Sequence, residues 1–145
     1  MQKLIIFFII FFNFGNLFSN EEYFLTLRNE KVNLRQGPSF DYPVKIFYKK
    51  KYLPVLIQDS SNNFRKVRDH ENNSGWIHIS QLSKKKAAIV IKDELIMFSN
   101  PTVYSNPIAL LKKGRLVKIR KCNDKWCKAV SGEFKGWLKK RVCGD

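Results

Sequence analysis

The sequence predicts an all-β chain, two tandem small β-barrels behind an N-terminal signal peptide. Short apolar stretches with period-2 alternation recur along it, polar turn clusters separate them, and long helical periodicity is absent. The stretch "VNLRQGPSFDYPV", residues 32–44, shows the pattern: Val32 and Leu34 alternate with Asn33 and Arg35, and Gly37-Pro38 then breaks the run. The chain also carries a second, divergent copy of the same landmarks, so one small unit is built twice.

The elements follow in order. Residues 1–19 open with Lys3, continue as an apolar run from Leu4 to Phe12 that fades by Phe18, and end at the small Ser19. This reads as a signal peptide, cleaved on export. The run falls short of the roughly 20 apolar residues that a spanning helix needs; an uncleaved N-terminal membrane anchor is the alternative. No stretch after Ser19 is long and apolar enough to cross a membrane. The first unit, 23–83, shows strands near 31–35, 44–48, 53–59, 63–69 and 74–78, with hairpin loops at Asp59–Asn63 and His70–Ser74 and a last turn at 79–83. Lys84–Lys86 reads as a solvated linker, and Ala87–Val90 begins the second unit, 87–145. There "RLVKIRKCNDKWCKAVSGEFKGWLKK" repeats strand, turn, strand, turn, strand. A closed barrel is the economical way to leave so small a unit few exposed edges.

The copies align on their landmarks. Pro38 on Pro101 brings Val32 onto Leu95 and Leu34 onto Met97, and one inserted residue brings Pro43 onto Pro107. Gly75-Trp76 then matches Gly136-Trp137. Leu82 and Cys143 each fall six residues beyond the tryptophan, which makes Cys143 a core position.

The net charge of +15 favours anionic partners: lipid head groups, acidic wall polymers or nucleic acid. Export takes the chain away from nucleic acid and leaves membrane and wall polymers. Cys122 and Cys127 flank the turn signal Asn123-Asp124, so they face each other across a hairpin and a disulfide between them is expected. A zinc site needs further ligands, and His70 and His78 lie far upstream, so neither metal nor cofactor is expected. No nucleophile–base pair, zinc-binding helix, phosphate-cradling glycine loop or serine elbow is present, which argues against an enzyme. The acids Asp69, Glu71, Asp93 and Glu94 fall at loops and are expected to be solvated.

The 32–44 loop and the Gly-Trp strand resemble a known family. "VNLRQGPSFDYPV" followed by "GWIHISQL" is similar to the bacterial SH3-like domain, through Asn33, Arg35, Gly37, Pro38, Tyr42, Pro43, Gly75, Trp76 and Leu82. The "KCNDKWCK" hairpin and "GWL" close resemble the second unit of the exported tandem branch of that family. Met97, Phe98, Ser99 and Asn100 replace the Arg-x-Gly core in that copy. The resemblance implies two tandem SH3-like small β-barrels without catalysis, acting as targeting or binding modules, of which some recognise peptidoglycan cross-bridges or stem peptides.

Residue by residue, Gly37 and Pro38 shape the loop, and the Asn33 side chain is expected to hold it by bonding nearby backbone. Arg35 braces it or offers a planar fork to a carboxylate. Tyr42 beside Pro43 presents flat apolar area with a hydroxyl handle. Trp76 and Trp137 are expected to pack in the cores, with the Trp76 edge still available to a groove with Tyr42, and His78 shares the face of Trp76. The ligand-binding candidates are thus Arg35, Tyr42, Trp76 and His78; Asn33, Gly37, Pro38, Gly75 and Trp137 are structural. The expected function is an exported, non-enzymatic module for cell-wall peptide or peptidoglycan. The alternative is a periplasmic scaffold that binds an acidic protein partner through the basic "KIFYKKKY" face.

Overall fold

The computed structural model describes residues 21–140, so the signal peptide and Cys143 lie outside the described residues. The first sheet contains β1 (Tyr23–Leu27), β2 (Val32–Arg35), β3 (Val44–Tyr48), β4 (Pro54–Ser61), β5 (Phe64–Arg68), β6 (Ser74–His78) and β7 (Leu82–Ser83), the last preceded by a single 3-10 turn, Ile79–Gln81. The second contains β8 (Ala87–Ile89), β9 (Glu94–Phe98), β10 (Pro107–Lys112), β11 (Leu116–Cys122), β12 (Trp126–Ser131) and β13 (Phe134–Lys139). The strand orders are β3-β2-β6-β5-β4-β1-β7 and β10-β9-β13-β12-β11-β8. They match position by position, and β7 has no counterpart among the described residues.

The duplication holds at the level of register. Arg35 pairs with Trp76 in the first sheet and Phe98 with Trp137 in the second, the same crossing in each copy. Both crossings need a glycine next door. A Cβ on Gly75 would lie 2.6 Å from the Arg35 carbonyl oxygen, and one on Gly136 would lie 2.6 Å from that of Phe98. Among the described residues, however, the hydrogen-bond ladders do not close into barrels. Among those residues each sheet keeps two free edges, β3 and β7 in the first, β10 and β8 in the second. β7 is only two residues long and is taken up by β1, so it does not bridge to β3. β-Bulges at Leu34/Arg35 and Ile57/Asp59 bend the first sheet, and Ile119/Lys121 bends the second.

Each sheet wraps one apolar cluster, filled by alternate residues of its strands. Leu27, Val32, Leu34, Val55, Val67 and Ile77 are fully enclosed in the first. Val90, Met97, Val117, Ala129 and Leu138 fill the second. The tryptophans are not core residues. Ile77 and Leu138 point inward, so their neighbours Trp76 and Trp137 face the other side of the sheet and are half-buried there. β1 has no counterpart among the expected strands; it fills the place between β4 and β7.

The junction is more than a tether. Lys84–Lys86 is exposed, but the alternation of the next residues divides them between the units. Ala88 and Val90 enter the second cluster, whereas Ile89 enters the first, where Leu116 of the second sheet also packs. Lys50 Nζ donates to the Gly114 carbonyl at 3.1 Å, and Thr26 Oγ1 donates to that of Lys85 at 2.7 Å.

Candidate functional site

The bulge at Arg35 turns β2 out of its ladder with β3 and sends residues 36–43 back over the outer face of the first sheet. Gln36 N–H donates to the Pro43 carbonyl, closing the neck of the loop. Arg35 fastens its body: Nη1 donates to the carbonyls of Phe40 at 3.2 Å and Tyr42 at 2.9 Å. Its guanidinium carbon stands 5.3 Å from the Phe40 ring centroid. Gly37 has no left-handed φ here; its lack of a side chain admits the Tyr42 ring, 2.5 Å from where a Cβ would stand. Asn33 does not hold the loop as expected: its N–H donates to Gln81 Oε1 of the 3-10 turn at 3.3 Å, and its side chain makes no hydrogen bond among the described residues.

The loop delivers Phe40, 65% exposed, onto a pair of rings. Its centroid lies 5.2 Å from that of Phe64 and 5.1 Å from that of His78, and Phe64 meets His78 edge-to-face at 5.1 Å. Phe64 and His78 are register partners in the β5–β6 hairpin. The His78 ring is fixed by its role as cap of the 3-10 turn, with Nδ1 accepting from Ser80 N–H at 3.2 Å. One step along the same face, Arg35, Trp76 and Lys66 form a row across β2, β6 and β5. The result is an aromatic shelf with a guanidinium held at its edge.

Of the sequence candidates, Arg35, Trp76 and His78 therefore share one face, and Tyr42 sits at the loop with its ring against Gly37. Phe40 and Phe64 were not among the candidates. Counting outward from the expected His70–Ser74 loop sets Lys66 opposite His78; the hairpin instead pairs Arg68 with Ser74 around a loop at 69–73, and this shift sets Phe64 opposite His78. In the second unit Phe98 takes the place of Arg35 and stacks edge-to-face on buried Trp126 at 5.7 Å, while Lys139 takes that of His78. That copy has no shelf of this composition. Among the described residues no three His, Cys, Asp or Glu side chains gather as a metal site. Cys122 and Cys127 form a disulfide, as register partners in the β11–β12 hairpin.

Asp69 corrects the expectation of solvated acids. It is buried, and its carboxylate accepts from Glu71 N–H, Asn73 N–H, the Asn73 amide and the Tyr48 hydroxyl, all at 2.8–2.9 Å. It organises the β5–β6 loop on the inner side and does not belong to the shelf.

Two curled antiparallel sheets of one strand order, each crossed at a Gly-Trp pair, define a duplicated SH3-like fold. The family model of the bacterial SH3 domain matches residues 28–84 and 91–143, and the chain belongs to that family. No curated protein matches it. Similar solved structures include NlpC2 from Trichomonas vaginalis, at 16% identity over 84% of this chain and 47% of that one, with a TM-score of 0.38. NlpC1 from the same organism gives 15%, 86%, 46% and 0.39. An NlpC/P60 family protein from Bacillus cereus gives 12%, 83%, 55% and 0.39. The chain spans about half the length of each, and the likeness carries no activity over.

Proposed function

We propose that the chain is a non-enzymatic, exported binding module that recognises cell-wall peptide or peptidoglycan through the outer face of its first unit. The observation that carries this reading is Phe40: an exposed ring set edge-to-face against Phe64 and tilted over His78, with the Arg35 guanidinium beside it. A loop aromatic held in place binds at little ordering cost. The guanidinium has no carboxylate partner among the described residues, and one suits the free carboxylates of a stem peptide. Arg35, Trp76 and His78 would line the contact, with Tyr42 at its rim; of the two units, 23–83 and 87–145, only the first would carry this surface.

The test is sedimentation with purified sacculi at low salt, using the chain freed of residues 1–19. The chain pellets, soluble muropeptides release it, and Phe40→Ala weakens binding about tenfold or more, as for a central aromatic anchor. Retention of the unaltered chain in the supernatant ends the reading. One observation favours the alternative scaffold: edge strand β3 exposes Phe47 at 68% beside Lys45 and Lys49. A partner bound there, an acidic protein, would not be displaced by muropeptides.

A further inference from the structure

A groove of about 490 Å³ lies where the β10–β11 turn of the second unit meets the first. Five cations line it: Lys50 from the first unit, and Lys112, Lys113, Arg115 and Lys118 from the second. Like charges gathered in one concavity repel each other, so their positions need explaining. Lys112 is neutralised by Glu94. The other four have no carboxylate within ion-pair distance among the described residues.

Three of those four are held in place by other contacts. Arg115 Nε donates at 2.9 Å to Ser131 Oγ, which is 1% exposed, and Ser131 donates in turn to the Leu116 carbonyl. A Cβ on Gly132 would lie 3.1 Å from an Arg115 terminal nitrogen, so the guanidinium rests over bare backbone. Lys50 is anchored on the Gly114 carbonyl across the unit boundary. The Lys118 ammonium lies 4.6 Å from the centroid of Tyr52, whose backbone holds a left-handed φ of 66° that a bulky residue rarely adopts. The same ring also lies 5.3 Å from the Lys51 ammonium and 5.8 Å from that of Lys85.

From this arrangement we infer that the groove is an anion site for phosphate groups, distinct from the aromatic shelf. A carboxylate would be satisfied by the Arg115 fork alone. A phosphate ester offers up to two charges and several acceptor oxygens around a tetrahedral centre, which suits one planar fork plus separate ammonium point charges. Both units contribute, so occupancy ties the β10–β11 turn to the Lys50–Tyr52 turn.

The test titrates the full chain with inorganic phosphate and then tripolyphosphate, following the Gly114 and Gly132 amide signals and Arg115 Nε–H by NMR. Saturable shifts at these three, absent with chloride, are expected, with tripolyphosphate binding tighter. Arg115→Gln and Lys113→Gln each weaken binding about tenfold, while the charge-matched control Lys31→Gln changes nothing. Phosphatidylglycerol vesicles and a soluble phosphodiester polymer separate the two sources of the group: the one whose capture Arg115→Gln abolishes is the ligand class. Shifts spread evenly over the surface lysines, or an Arg115→Gln chain that binds unchanged, overturn the site. Neither result bears on the sacculus assay with Phe40→Ala.

Discussion

Asp69, 7% exposed, carries its charge inside the protein because four donors surround it. Burial pushes its carboxyl up, and the bonds from Asn73, Tyr48 and Glu71 together outweigh that and hold it below the usual carboxylate range. A depressed folded-state value contributes stability above the unfolded value of about 4 that is lost as pH falls through the folded one. Tyr48 is raised, first by burial and then by its bond to Asp69 and the nearby carboxylate charges, so its share is lost as pH climbs beyond about 10. Asp69→Ala, which strands the Tyr48 hydroxyl and two backbone N–H groups, should cost about 2–4 kcal/mol in urea unfolding. Asp69→Asn should flatten the fall in Tm between pH 5 and roughly pH 3; an unchanged acid slope would show that other carboxylates set it. Gly75→Ala and Gly136→Ala form a matched pair at the same scale. Each new methyl group meets a backbone carbonyl at 2.6 Å, and each should cost about 1–3 kcal/mol, by overpacking. Equal losses would express the duplication as energy.

The β11–β12 hairpin joins two devices at one turn. Asn123 Oδ1 accepts from Lys125 and Trp126 N–H at 3.0 and 2.7 Å, and the disulfide closes the same short loop one register pair out. For so short a loop the chain-entropy model gives about 2 kcal/mol. Cys122→Ser/Cys127→Ser should therefore lower the unfolding free energy read from urea titration by about that much without altering the fold, since Asn123 still sets the turn. Complete unfolding on reduction would mean that the second unit depends on its cross-link. This hairpin was legible in the sequence because its signals are local: two cysteines, a turn pair and alternation. So were the β4–β5 and β5–β6 hairpins, and the Gly-Trp landmarks of both copies. Three features were not. The family resemblance points Trp76 and Trp137 to the core, but β6 and β13 place every second residue outward, and Ile77 and Leu138 occupy the inward positions. β1 escaped because its register partners in β4 and β7 lie 28–34 and 55–57 residues away and leave no local pattern. The shelf was half visible: Arg35, Trp76 and His78 follow from period and motif, while Phe40 reaches them only through the two bonds that Arg35 makes to the loop.

Across the whole molecule, β8 decides whether the copies behave as two bodies or one. It is the counterpart of β1, completing the second sheet against β11, and its last residue, Ile89, points the other way. Ile89, 5% exposed, is a member of the first unit's cluster, with Leu116 beside it, although both belong by pairing to the second sheet. Truncating a buried isoleucine to alanine costs about 2–5 kcal/mol. If the clusters were independent, Ile89→Ala would loosen only the strand that carries it. Because the side chain is enclosed by the first cluster, the larger loss should fall there. Hydrogen exchange at the Val55 and Ile57 amides of β4 should accelerate together with exchange at β8, while Ala129 and Leu138, deep in the second cluster, change less. Val90→Ala, one residue on and pointing into the second cluster, should give the reverse pattern. Neighbouring truncations with opposite maps would establish that the strand couples the units through its own alternation. Identical maps would place the coupling in the Lys50–Gly114 bond and the turn contacts around it.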